Sequence, residues 1–154
     1  MIIYILSCCL TGLMAGLFLC WSIATMPGIT QLNDSQFIAA MQAMNRAIVN
    51  PVFVISYMAP LVLLPLLSWK TLHHPAFGII LTATILYIVS FLITMVCNVP
   101  LNEALDKVDV AQAGADVLKQ QRLNFVSAWI TWHTIRTVMM IISFVCCLCA
   151  ICRH

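Results

Sequence analysis

Residues 126–152 read VSAWITWHTIRTVMMIISFVCCLCAIC, a long apolar run that holds one histidine and one arginine. Crossing the hydrocarbon core of a bilayer as a helix takes about 20 predominantly apolar residues, and this run is long enough. Three further stretches pass the same test, at residues 2–26, 51–69 and 77–97. The whole chain agrees: 63% of its 154 residues are hydrophobic and 8% charged, with mean hydropathy +1.04. A soluble domain is about a quarter charged, so composition alone excludes one. The chain therefore reads as all-α, a single membrane domain (residues 1–154) built as an integral membrane four-helix bundle. The first run reads as a retained span rather than a signal peptide, because no basic residue precedes it and its core exceeds the ~7–15 residues of a signal's apolar region. A net charge of +2 without any Lys- or Arg-rich run gives no footing for nucleic acid.

The connections carry their own signals. Residues 34–48, DSQFIAAMQAMNRAI, place Phe37, Met41, Met44 and Ile48 at helical spacing, with Asp34 or Ser35 as the expected cap. Too short and polar to span, this segment predicts an amphipathic helix between spans 1 and 2, at the interface or tucked over the bundle mouth. The first span is expected to stop at Met26-Pro27-Gly28, since proline disfavours helix in the residue before it. Asn50-Pro51 opens the second span, whose interior Pro60 and Pro65 free the carbonyls of Ser56 and Leu61. A kink follows from that, with a cavity beside it as the alternative. Residues 101–124 are polar and predict a short helical excursion between spans 3 and 4, interrupted near Gly114. Orientation stays open, because basic residues flank both sides of the membrane.

Gly12 and Gly16 let two helices approach closely, either inside the bundle or in a homo-oligomer. The eight cysteines lie in or at the ends of spans and read as small hydrophobes. Cys149 and Cys152 form a CxxC with no second pair, so neither a metal site nor a redox site follows.

A charge in mid-bilayer costs about 2.5–3.5 kcal/mol on insertion scales and usually faces protein or water. Trp129, Trp132, His133 and Arg136 recur at i, i+3, i+4 and i+7, which predicts one helical face. Connectivity brings Asn98 and Asn102 to the same end, along with Asn45, Arg46 and Asn50 from the first connection. Glu103 is the expected carboxylate for either arginine. A buried hydrogen-bond network pinning the helices is the structural alternative for the asparagines. His133 stands alone in the membrane, with His73, His74 and His154 at the opposite end, so no metal site is expected.

The segments DSQFIAAMQAMNRAIVNPVF (34–53), NVPLNEAL (98–105) and WITWHTIRT (129–137), in this order and spacing, resemble the motif series of the anthrone oxygenase family. The resemblance runs from about Gly12 to Thr137 and implies a small four-span protein of a bacterial inner membrane. It also implies oxidation of an anthrone to an anthraquinone by dioxygen without a bound cofactor. His133 would then be the general base and Arg136 the anion stabiliser. Asn98 or Asn102 would orient a substrate oxygen, and Trp129 and Trp132 would form flat walls. The alternative is a non-enzymatic membrane protein that binds a lipid, a quinone or a partner subunit at the same mouth. A purely structural polar cluster is the third reading.

Overall fold

The computed structural model describes residues 1–153, and His154 lies outside the described residues. Its helices are α1 (Ile2–Ile29), α2 (Asp34–Ile48), α3 (Pro51–Lys70), α4 (Phe77–Asp106) and α5 (Ala115–Ile151). All but α2 are long and apolar enough to cross a membrane, which makes this a multi-pass integral membrane protein. In the bundle α1 packs on α3, α3 on α4, α4 on α5 and α5 back on α1. The bundle centre is filled by Met14, Phe18, Leu64, Tyr87 and Met140. A second core, at the end called the mouth below, joins Phe37, Ile38 and Met41 of α2 to Leu118, Phe125 and Trp129 of α5.

Three helix boundaries differ from the sequence reading. The first span does not stop at Met26-Pro27-Gly28 but continues to Ile29. The third runs on through Pro100 to Asp106, and the fourth starts at Ala115 rather than near Val126. Both prolines are tolerated by the same device. A widened turn over Trp21–Thr25 bonds the Met26 amide to the Trp21 carbonyl, five residues back, and Pro27 follows directly. Thr94–Asn98 repeats this, with Val99 bonded to Thr94 and Pro100 next. Such wide turns absorb the donor that proline lacks, so the helix carries on past it. The polar residues 101–106 therefore extend α4 and form no separate excursion. Gly114, taken as an interruption, is the extended residue that caps the start of α5.

Helix α2 is capped by Asn33, not by Asp34 or Ser35: the Asn33 side chain accepts from the Gln36 amide at 3.0 Å. It lies over the mouth, where Gln42 Nε2 donates to the carbonyls of Leu105 and Val108, each at 2.9 Å. Arg122 of α5 ties down the turn before it, donating to the carbonyls of Thr30 and Leu32 and pairing with Asp34 at 3.0 Å.

Gly12 has its bare face against Phe144 of α5, and a Cβ there would come within 2.7 Å of that ring. Gly16 has open space where its Cβ would be. Gly12→Ala is therefore expected to lower stability by about 1–3 kcal/mol through overpacking, whereas Gly16→Ala should be tolerated. Thermal unfolding of the two variants in detergent checks this, and equal losses would contradict it.

Candidate functional site

The mouth end encloses a cavity of about 620 Å³, within the ~300–1,000 Å³ typical of small-molecule pockets. Its walls come from all four spans and from α2. Of the residues the sequence singled out, Asn45, Arg46, Asn102, Glu103, Trp129, His133 and Arg136 line it. Asn50, Asn98 and Trp132 do not.

Each exception has a local cause. Asn50 caps α3, accepting from the Phe53 amide at 3.1 Å and donating to the carbonyls of Ala47 and Ile48. Asn98 is fully buried between α4 and α5, where its Nδ2 donates to the Trp129 carbonyl at 3.3 Å. Trp132 is 38% exposed. Relative to Trp129, at ~100° per residue, Trp132 lies about 60° off to the side opposite His133, at the edge of the face. The expected four-residue face therefore narrows to three.

Those three side chains are held from several directions. The Trp129 indole N–H donates to Asn102 Oδ1 at 2.9 Å. The His133 ring lies flat against Trp129, with centroids 4.6 Å apart and planes 14° from parallel. His133 Nε2 donates to the Phe18 carbonyl of α1 at 3.1 Å, while Nδ1 accepts from Arg136 Nε at 3.2 Å and Nη2 at 2.9 Å. This bonding pattern assigns a neutral imidazole with its proton on Nε2. Arg136 Nη1 donates to Thr94 Oγ1 at 2.9 Å. The guanidinium also lies over the Phe18 ring, 4.6 Å from its centroid.

Arg136 is only 7% exposed, yet among the described residues no carboxylate pairs with it. The sequence expectation of Glu103 as the partner of either arginine is corrected here. Arg46 pairs instead with Asp106, nearly one helical turn further on, at 2.8 Å. Three of the five guanidinium N–H donors are engaged, so two remain for a ligand. Among the described residues no three His, Cys, Asp or Glu side chains come together as a metal ligand set.

Sequence reading missed Thr94, Tyr57, Phe18 and Trp21. Thr94 Oγ1 is a junction that accepts from Arg136 and from the Tyr57 hydroxyl (2.7 Å) and donates to the Ser90 carbonyl (3.0 Å). A signal for it exists: Ser90, Thr94, Asn98 and Asn102 repeat at i, i+4 along the third span. Tyr57 sits one turn before Pro60, and its carbonyl takes the Tyr87 hydroxyl at 2.9 Å. Phe18 and Trp21 carry no pattern that separates them from other lipid-phase aromatics.

Tyr57→Phe removes one hydrogen bond and leaves Thr94 bonded to both Arg136 and Ser90. The expected cost is about 0.6 kcal/mol, and at most ~1.7, by the measured range for side-chain hydrogen bonds within membranes. Thermal unfolding reads this directly, and a larger loss would show that Tyr57 holds the cavity open.

The sequence model of the anthrone oxygenase family matches residues 37–146. The chain belongs to the anthrone oxygenase family. The family segment contains α3, α4, most of α2 and the cavity-lining part of α5, and with them Asn45, Asn102, Trp129, His133 and Arg136. Phe18 and Trp21 on α1 lie outside it. No curated protein and no solved structure matches the chain. Family membership carries the description of an oxygenase-type membrane protein and says nothing of which residues act.

Proposed function

We propose that the protein oxidises a flat, apolar aromatic ketone of the anthrone type with dioxygen, in the mouth-end cavity. One observation carries this reading: Arg136 is a buried cation in a mostly apolar cavity, and no carboxylate among the described residues pairs with it, Glu103 and Asp106 of the cavity wall included. A buried charge needs a counter-ion, and a site that lacks one is built to receive it from a ligand. An aromatic ketone that becomes an anion during reaction supplies that charge only once it has lost its proton. The site then favours the anion over the neutral ketone, which is how an enzyme accelerates deprotonation.

The chemistry balances without a further co-reactant. Loss of a methylene proton gives an anion whose charge rests on the ketone oxygen, facing the two remaining Arg136 N–H donors. The electron-rich methylene carbon bonds to dioxygen and becomes a hydroperoxide after proton return. Elimination of water across its O–O bond leaves the second carbonyl, so one dioxygen yields one quinone and one water.

His133 is the proton acceptor in this scheme. Its Nδ1 accepts from Arg136, so the base is released when the guanidinium turns toward the substrate oxygen. That same bond favours a second reading, in which the cavity binds an anionic aromatic or a quinone and performs no chemistry. Oxygen uptake by proteoliposomes supplied with anthrone separates the two. The oxygenase reading expects uptake above empty vesicles, with one dioxygen consumed for each anthraquinone formed. Uptake equal to that of empty vesicles would leave the binding reading.

A further inference from the structure

Toward the mouth, α3 and α4 separate. The Tyr57–Thr94 hydrogen bond is the last one between them in that direction among the described residues. Further along, the final turns of α4 pack on α2 and α5 instead. The side chains bordering this gap face two ways. Val54 and Met58 of α3 and Met95 of α4 line the cavity, and they are also 40%, 36% and 41% exposed on the lipid-facing surface. A cavity wall that is itself surface is an opening, and at this depth of a spanning helix it opens into hydrocarbon.

The water-facing rim is differently built. There the Arg46–Asp106 ion pair spans from α2 to α4 at 2.8 Å, and Gln42 clamps α2 to the end of α4. Polar groups that bridge helices hold that side together, while above the Tyr57–Thr94 bond the gap is bordered by the apolar Val54, Met58 and Met95.

The geometry points to a lateral portal between α3 and α4, bounded by Met58 and Met95, through which a flat oxygen-bearing aromatic passes from the bilayer to Arg136. Methionine suits such a threshold, since an unbranched thioether repacks around passing shapes. The Tyr57–Thr94 bond forms the sill, and Arg136 lies directly behind it, bonded to the same threonine. An apolar ligand concentrated in the bilayer then meets the site without crossing water. The portal deepens the oxygenase reading and rests on it for the class of ligand.

The test uses the full chain in proteoliposomes and a small aromatic carbene precursor dissolved in the bilayer, 3-trifluoromethyl-3-(3-iodophenyl)diazirine, with labelled residues mapped by mass spectrometry. Lipid-facing residues such as Val138 should label in every variant and serve as controls. Tyr57, which is 2% exposed, should also label, because the reagent enters the portal. In Met58→Trp/Met95→Trp, labelling of Tyr57 should fall to background while Val138 is unchanged. In Met58→Ala/Met95→Ala it should rise, which keeps the test valid should the tryptophan variant fold poorly. An unlabelled Tyr57 in the native protein overturns the portal, as does labelling that survives the tryptophan plug. A rise in Arg46→Ala, which loosens the aqueous rim, overturns it too. Excess anthraquinone should protect Tyr57 from the reagent. Labelling without protection overturns the assigned ligand class and leaves the opening in place, so the two failures are distinguishable.

Discussion

Arg136→Met is expected to abolish turnover of anthrone while leaving the protein at least as stable as the native chain. The functional loss follows from removing the cation that meets the developing oxyanion. Loss of one such donor typically costs about 10²–10³-fold in kcat, and removing the whole guanidinium should cost no less. The stability expectation has the opposite sign for a physical reason. An unpaired cation in the membrane carries an insertion cost of about 2.5–3.5 kcal/mol, and methionine of similar length removes it. Against this stand the lost bonds to His133 and Thr94, each worth roughly 0.6 kcal/mol in a membrane interior. Insertion cost is the larger quantity, so the thermal midpoint should hold or rise. A purely structural polar cluster predicts the reverse, a lowered midpoint, because Arg136 would then be the hub joining α4 to α5. Thermal unfolding and oxygen uptake on the same preparation decide between them.

The second large effect is expected at His133, where two substitutions separate two roles. His133→Ala removes the base, the acceptor that holds Arg136 and the donor to the Phe18 carbonyl. Turnover should fall by about 10²–10⁴-fold, the usual contribution of a general base. His133→Gln restores an amide oxygen for the guanidinium and an N–H for Phe18 but supplies no base near neutral pH. It should therefore recover stability and anthraquinone affinity relative to the alanine variant, with turnover still lost. Recovery of turnover in the glutamine variant would make His133 a positioning residue that holds Arg136, and the base would have to be sought elsewhere in the cavity.

The spans were legible because lipid imposes a length and a composition that few sequences meet by accident. The mouth was legible for a different reason, since connectivity alone forces Asn98, Asn102, Trp129 and the α2 region to one end. Less could be read where local rules were overridden. Pro27 and Pro100 each signal a helix end, yet a widened turn just before each proline lets the helix continue. Helical spacing put Trp132 on the same face as His133, but its place at the edge of that face turns it outward. Asparagines were harder still. Asn50 and Asn98 satisfy backbone groups and Asn45 and Asn102 line the cavity, and only three-dimensional packing separates the pairs. Glu103 was the nearest carboxylate by sequence, but Arg46 reaches Asp106, and Arg136 reaches none among the described residues. That unpaired state cannot be seen in one dimension, and it is the observation on which the functional reading turns.

The most direct measurement is the absorption spectrum of anthrone bound anaerobically to the purified protein. Without dioxygen the reaction stops at the anion, which absorbs at longer wavelength than the neutral ketone because its rings are conjugated through the former methylene. The native protein should develop that long-wavelength band at a pH where free anthrone shows none, and Arg136→Met should not. Absence of the band in the native protein, or an equal band in the methionine variant, would contradict the assignment of Arg136 as the cation that receives the substrate anion.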